Sequence, residues 1–392
     1  MKVSYLLAYL ILSLGASFAS AGELRGTGDL GIVVERTNGS VCIVDTTNRS
    51  TLSCISGLGD LSHASAVFSP DQRYAFIFGR DGGLTKIDLL ERRIAKRVLQ
   101  AGNSIGGAIS DDGKLVAVSN YKPGGVKIFH TDTLEQVADI PASYGNEGKR
   151  SKTVGLVDAP GRRFVFTLYD AGEIWMADLS RTGPPLISKL GRAGELPYDA
   201  LITDDGRHYI SGLFGEDGLA HIDLWNNPPK ISRILDGYGK GEAKLPVYKM
   251  PHLEGWARAG GRFLLPAVGR PELLAVDEQS FKEAGRVKVH GQPVFAIARP
   301  DGRHVWVNFA LPHNDVVQVI DVPTLKVIHQ LRPGPAVLHM EFTSRGHEVW
   351  ISVRDANKVE IYDTRTFEKR GELPFRTPSG IFFTSRANRI GL

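Results

Sequence analysis

The stretch Ser69-Pro70-Asp71-Gln72-Arg73 returns seven more times along the chain in altered form. The copies are Ser110-Asp111-Asp112-Gly113-Lys114, Asp158-Ala159-Pro160-Gly161-Arg162, Thr203-Asp204-Asp205-Gly206-Arg207 and Arg258-Ala259-Gly260-Gly261-Arg262. Arg299-Pro300-Asp301-Gly302-Arg303, Thr343-Ser344-Arg345-Gly346-His347 and a degenerate Thr384-Ser385-Arg386-Ala387-Asn388 complete the set. Successive copies stand 41 to 55 residues apart. Pro presets one turn dihedral, Asp bonds its own backbone and Gly accepts positive φ, so each copy reads as a tight turn. A second marker follows each turn, where an apolar run ends in Asp88, Asp178, Asp223, Asp277, Asp321 or Asp363, with His130 in one copy. Two markers keeping step along the chain define a structural repeat.

Between the markers lie short runs rich in β-branched and aromatic residues, so each unit reads as four strands joined by turns. Four-stranded antiparallel units repeated around an axis make an all-β, eight-bladed β-propeller. The last unit keeps only one strand, Gly380 to Phe383. Its missing strands stand at the other end: Gly31-Ile32-Val33-Val34, Ser40 to Asp45 and Thr51 to Cys54. N-terminal strands pairing with a C-terminal strand would close the ring and remove its open edges. Cys42 and Cys54 fall on neighbouring strands of that closing unit, either as a cross-strand disulfide or as two buried thiols.

Composition agrees with one folded domain. The 392 residues are 42% hydrophobic and 23% charged, which excludes a disordered chain, and two Cys cannot staple a mini-protein. A net charge of +4 gives no argument for nucleic acid. Lys2, the apolar run Tyr5 to Leu14 and the small residues Ala19-Ser20-Ala21 read as a signal peptide over residues 1–21. Residues 22–392 are then a single propeller domain, exported to the periplasm. No later run reaches the ~18 apolar residues of a membrane-spanning helix.

In a propeller the start of each innermost strand rings the mouth of the central channel. Counting back from the turns places His63, Ser104, Lys152, Pro197, His252, Pro293, Val337 and Pro378 there. One His at such a place is ordinarily structural; two at the same place point to a ligand, because neutral imidazole binds iron or donates a proton. The loops on that face add Arg80, Tyr121, Tyr169-Asp170, Phe214, Arg270, His313-Asn314-Asp315 and Arg354, with Lys149-Arg150 and Tyr248-Lys249 nearby. Recurrent Arg and Lys suit a ligand with several carboxylates. The chain carries no G-x-S-x-G, Walker A, H-E-x-x-H or Cys-x-x-Cys-His motif.

His63-Ala64-Ser65, Gln72 to Gly82 and Ile87-Asp88-Leu89 closely resemble the blade that ligates haem d1 in the haem-d1-containing nitrite reductases. The likeness continues through Pro251-His252, Gly291-Gln292-Pro293 and Ala310 to His313. No cytochrome c motif precedes the propeller, and Phe295 to Pro300 carries Arg299 where the reductase has a second His. The chain therefore resembles the NirF family of haem d1 biosynthesis. The resemblance implies an exported propeller that binds haem d1 or its dihydro precursor non-covalently, with His63 as axial iron ligand. It implies carboxylate contacts from Arg80, helped by Lys152, Arg270 or Arg354, with Tyr121 and His313 at the pocket. His252, Asp158 and Asp170 are the candidate catalytic groups. Such a protein either modifies a tetrapyrrole side chain late in the pathway or holds and delivers the ring to other biogenesis proteins and nitrite reductase. The contrasting expectation is a YVTN-type interaction propeller without cofactor.

Overall fold

The computed structural model describes residues 25–237, 255–267 and 270–389. Among these residues are eight four-stranded antiparallel sheets and one two-stranded hairpin. We number the blades along the chain by their first strands, A: Ser65–Phe68, Asn103–Ile109, Thr153–Ala159, Pro197–Ile202, Ala257–Ala259, Pro293–Ala298 and Val337–Phe342 for blades 1 to 7, and Pro378–Phe383 for blade 8. The A strands of neighbouring blades touch around the axis, and strands B, C and D follow outward. The signal-peptide reading of residues 1–21, and His252, Tyr248 and Lys249, lie outside the described residues.

The two sequence markers meet in space. Arg73 of the first turn pairs with Asp88 at 2.9 Å, Arg207 with Asp223 at 2.7 Å and Arg303 with Asp321 at 2.8 Å. The Asp also accepts backbone N–H groups of the next turn, as Asp223 does from Trp225 and Asp363 from Arg365 and Thr366. The Arg207 guanidinium holds the Asp223 carboxyl below its ordinary range. One Arg–Asp contact thus ties the inner hairpin of a blade to its outer one.

The turns also interlock from blade to blade. Gly113, Gly206 and Gly346 sit at φ of +69°, +68° and +65°. A Cβ on them would stand 2.5, 2.3 and 2.7 Å from Pro70, Pro160 and Pro300 of the preceding turn. Only glycine satisfies both the left-handed backbone and that close approach.

The blades pack face to face through apolar side chains. Ile32 and Ile43 of blade 8 share a core with Phe68 and Ile77 of blade 1, and Ala117 and Ile128 of blade 2 with Phe164 and Phe166 of blade 3. Trp306 and Trp350 set their edges near-perpendicular to Phe342 and Phe383 of the next blade, at 6.0 and 5.5 Å. That is the favoured aromatic geometry.

The ring closes as the sequence suggests. Pro378–Phe383 pairs antiparallel with Leu30–Glu35, giving the closing sheet one strand from one end of the ring and three from the other. Cys42 and Cys54 face each other across its outer two strands and are disulfide-bonded, with Cα atoms 3.9 Å apart. The alternative of two thiols is thereby set aside. The hairpin Ser143–Tyr144/Lys149–Arg150, between blades 2 and 3, was not expected from the repeat.

Five A strands share a local defect. In blades 3, 4, 6, 7 and 8 two residues near the strand's upper end oppose a single residue of strand B. Such β-bulges break the in-out alternation and re-aim side chains. The freed backbone groups find polar partners. Asn308 Oδ1 accepts the Phe295 N–H at 2.9 Å, Ser352 Oγ accepts that of His339 at 2.8 Å, and Ser211 and Thr167 donate to the Asp199 and Tyr198 carbonyls. In blade 8 the opposing residue is Val34, and His339 Nδ1 reaches across from blade 7 to accept the Ile381 N–H at 3.3 Å.

Gly206→Ala should lower unfolding free energy by about 1–3 kcal/mol, read by denaturant titration. Gly371→Ala, where nothing lies within 4 Å of the added Cβ, serves as the neutral control. Reducing Cys42–Cys54, which closes a loop of sequence separation 12, should cost about 3 kcal/mol and lower the melting temperature.

Candidate functional site

The bulges line a cavity of about 470 Å³ along the axis at the upper end of the ring. Gly155 and Leu156, Val294 and Phe295, Leu338 and His339, and Ser379 and Gly380 all face it, and so does Asp199 of the blade 4 bulge. On the walls of blades 8, 1 and 2 the residues at this level are small, Gly380, Ser65 and Gly106, while blade 3 presents Leu156 beside Gly155. Blades 4, 6 and 7 present Asp199, Phe295 and His339 instead. The cavity is therefore wide on one side and polar on the other.

His63 stands on the wide side, half-buried, two residues ahead of the blade 1 A strand. Its turn is fixed from three directions. Asp60 Oδ1 accepts the Ser62 N–H at 2.8 Å, the Asp60 carbonyl accepts the Arg80 N–H at 2.7 Å, and the Arg36 guanidinium donates to the Ser62 carbonyl. The backbone that carries the imidazole is thereby held in place.

Two guanidinium groups share the mouth. Arg354 lines it from blade 7, paired with Asp355 at 2.6 Å, and Arg36 lines it from blade 8. Burial pushes the Arg36 guanidinium below its ordinary pKa, the Arg354 charge pushes the same way and Asp60 opposes both. Two like charges held together and partly desolvated gain from an anion between them.

Opposite, the rim is aromatic. Arg80 lies 5.6 Å above the Tyr121 ring, Tyr121 is hydrogen-bonded through its hydroxyl to Tyr198, and Tyr198 packs on Phe214 at 4.6 Å and Tyr169 at 5.9 Å. Burial pushes Tyr121 up to about 12, and burial followed by the Asp199 charge pushes Tyr198 higher still, so both phenols keep their protons.

His339 is a second imidazole on the wall, 6% exposed. Burial, and then the Arg386 charge, lower its pKa to about 3. With Nδ1 accepting from Ile381, the neutral ring carries its proton on Nε2. His339 is thus a donor and not a metal ligand, since ligation through Nε2 would move the proton to Nδ1 and against the Ile381 N–H. Below it, on the same strand, Glu341 pairs with Arg386 at 3.0 Å, both almost fully buried.

The sequence-derived candidates distribute unevenly. His63 and Arg354 line the cavity. Arg80 and Tyr121 lie on the rim but outside the lining, because the guanidinium rests on the phenol ring. Lys152 and Asp170 are paired at 3.3 Å, with the Lys152 ammonium 4.7 Å above Tyr169, and neither lines the cavity. Asp170 also accepts the Lys152 N–H at 2.8 Å, which makes it the anchor of that strand's start. Asp158 is buried at the lower end of its strand, beyond Leu156, where that strand's lining stops. His313 turns away onto Gly291 and His290, its ring centroid 4.7 Å from that of His290, while Leu311 and Asn314 face inward. Arg270 is outside the lining, and Arg299 is buried at a strand's lower end, leaving Phe295 as the cavity residue of that segment.

Arg36, Asp199 and His339 escaped the sequence reading. Arg36 sits in the B-to-C loop of the closing blade, the one such loop left out of the count. Asp199 and His339 each stand two residues after a correctly placed strand start, Pro197 and Val337, at the offset Ser65 has from His63.

The residues fit a flat, anionic, iron-bearing ring: an imidazole and paired guanidinium groups at the mouth, with glycines and Phe295 along the walls. Comparison with known proteins points the same way. The Cytochrome D1 heme domain profile matches residues 25–387. Protein NirF of Pseudomonas aeruginosa is 57% identical over 387 residues, covering 98% of this chain and 99% of that protein. Protein NirF of Stutzerimonas stutzeri is 56% identical over 385 residues, covering 98% of each. The solved structure of dihydro-heme d1 dehydrogenase NirN in complex with DHE superposes with a TM-score of 0.81 at 27% identity, covering 95% of this chain and 79% of that one.

His339 should show the neutral Nε2–H tautomer in ¹⁵N NMR from pH 8 down to about 4.5. Its folded pKa lies below the ordinary value, so its share of stability is present above about 6.5 and lost as pH falls towards 3. The difference in unfolding free energy between wild type and His339→Gln should shrink by roughly 1 kcal/mol per pH unit between pH 6 and 4.

Proposed function

This chain belongs to the NirF family and carries a cytochrome D1 haem domain, and from that premise we propose that it is a periplasmic protein of haem d1 biosynthesis. It binds haem d1 or its dihydro precursor in the axial cavity and holds it for delivery to the other biogenesis proteins and to nitrite reductase. The observation that carries this reading is the mouth itself, where His63, Arg36 and Arg354 converge on one cavity. No helix among the described residues is long and apolar enough to cross a membrane.

His63 would supply the axial imidazole, and Arg36 and Arg354 would take ring carboxylates. Bidentate guanidinium–carboxylate pairing fixes orientation as well as charge. When bound, the tetrapyrrole supplies a redox-active iron and carboxylate side chains that late biosynthetic steps can alter. Phe295 and Leu338 give the ring apolar contact, and the glycine walls of blades 2, 3 and 8 leave room for its plane. His339, its proton on Nε2, would serve as a hydrogen-bond donor to the ligand. Lys152, Asp170, Tyr121 and Arg80 brace the rim from outside the lining.

Purified protein mixed with haem d1 should shift the Soret band, and His63→Ala should abolish the shift. An unchanged wild-type spectrum would overturn the reading and favour a cofactor-free interaction propeller. Arg36→Ala should weaken binding by about tenfold without loss of fold, consistent with one charge-assisted pair of roughly 1.5 kcal/mol, measured by spectral titration.

A further inference from the structure

Blade 6 holds an apolar side chain in water at the edge of the cavity. Leu311 lines the cavity and is 58% exposed, and among the described residues no other large apolar side chain of the lining is exposed. A single exposed leucine is ordinary on a protein surface. This one stands on a loop, Ala310 to Val316, that is fixed on both sides between strands His304–Phe309 and Val317–Asp321. The Ala310 N–H donates to the Gln292 carbonyl and the His313 N–H to the Ala310 carbonyl, each at 2.9 Å. Towards blade 7, the Asn314 carbonyl accepts the Val337 N–H at 2.8 Å, and Asp315 pairs with Arg332 at 2.7 Å. The His313 ring seats over Gly291, where a Cβ would stand 2.7 Å from it, and meets the His290 ring edge-on. The backbone that carries Leu311 is therefore held at the mouth. Leu311, Arg354, Arg36 and His63 come from blades 6, 7, 8 and 1, and so follow one another around it.

Resting on the ligand assigned above, we propose that Leu311 is the retaining contact for the bound tetrapyrrole. Its side chain covers the ring edge beside the carboxylates that Arg354 and Arg36 take, and His313 is the positioning residue that keeps it there. A pocket of this size ordinarily leaves ~10–30% of its ligand's surface uncovered. The uncovered part lies at the mouth, where Leu311 stands. Water against the apolar ring edge and against the leucine is released when the two meet. The contact forms only once the ring is seated, so its loss speeds departure far more than it slows arrival.

Stopped-flow absorbance gives the rates at which haem d1 enters the protein and leaves it for an excess of apomyoglobin. Leu311→Ser should release haem d1 about tenfold faster than wild type, with the entry rate within about twofold and the Soret position unchanged. Leu311→Met should release it at nearly the wild-type rate. His313→Ala should speed release by about threefold. Because that residue acts through Leu311, the double variant should release no faster than Leu311→Ser alone. Wild-type release from Leu311→Ser overturns the inference. So does an effect of that variant confined to transfer into nitrite reductase, which would assign Leu311 to a protein partner. A further threefold gain in the double variant overturns the role of His313. Failure of wild type to bind haem d1 at all is a separate result, which overturns the ligand reading and this inference with it.

Discussion

Hydrogen bonds between Pro378–Phe383 and Leu30–Glu35 hold the ring shut, and the cavity mouth is built across that seam. Arg36 follows the first strand directly, Arg354 comes from the blade before the seam and His63 from the blade after it. The Arg36 guanidinium then reaches the Ser62 carbonyl, so a closing-blade loop fixes the turn that carries His63. Across the same junction His339 of blade 7 meets the Ile381 N–H of blade 8. Ring closure and site assembly are therefore one event. A chain with an open seam would lose Arg36 from the mouth, the proton placement on His339 and the support of His63 together.

The bulges are the second ingredient. A regular strand offers the axis every other residue, whereas a two-for-one bulge presents consecutive residues there. Their cost is broken ladder pairing, offset where Asn308 and Ser352 hydrogen-bond into the gap. The same device recurs with different passengers: glycine and leucine in blade 3, tyrosine and aspartate in blade 4, leucine and histidine in blade 7. Repetition supplies the scaffold, and the chemistry enters through the few side chains that the bulges turn inward.

Much of this was legible in the sequence, for physical reasons. The turn motif and the Asp that ends strand C recur because one Arg–Asp contact joins them, as Arg207 and Asp223 show. Blade count and closure followed, and His63 and Arg354 were found because strand starts and loops can be counted. What escaped depends on contacts that counting does not reach. Asp199 and His339 sit on bulges, which leave no residue-type mark at those positions. Arg80 and Asp170 looked free in one dimension. In three, one guanidinium rests on Tyr121 and the other group clasps Lys152. Asp158 lies two residues past Leu156, below the cavity lining of its strand.

The disulfide adds a matter of compartment. Cys42 and Cys54 join the outermost strand of the closing sheet to its neighbour, three strands from the axis yet in the very sheet on which the mouth depends. Thiols stay reduced in the cytosol and pair in oxidising compartments. Their pairing therefore belongs to an oxidising environment, and it clips the outer edge of the sheet whose inner strands close the ring.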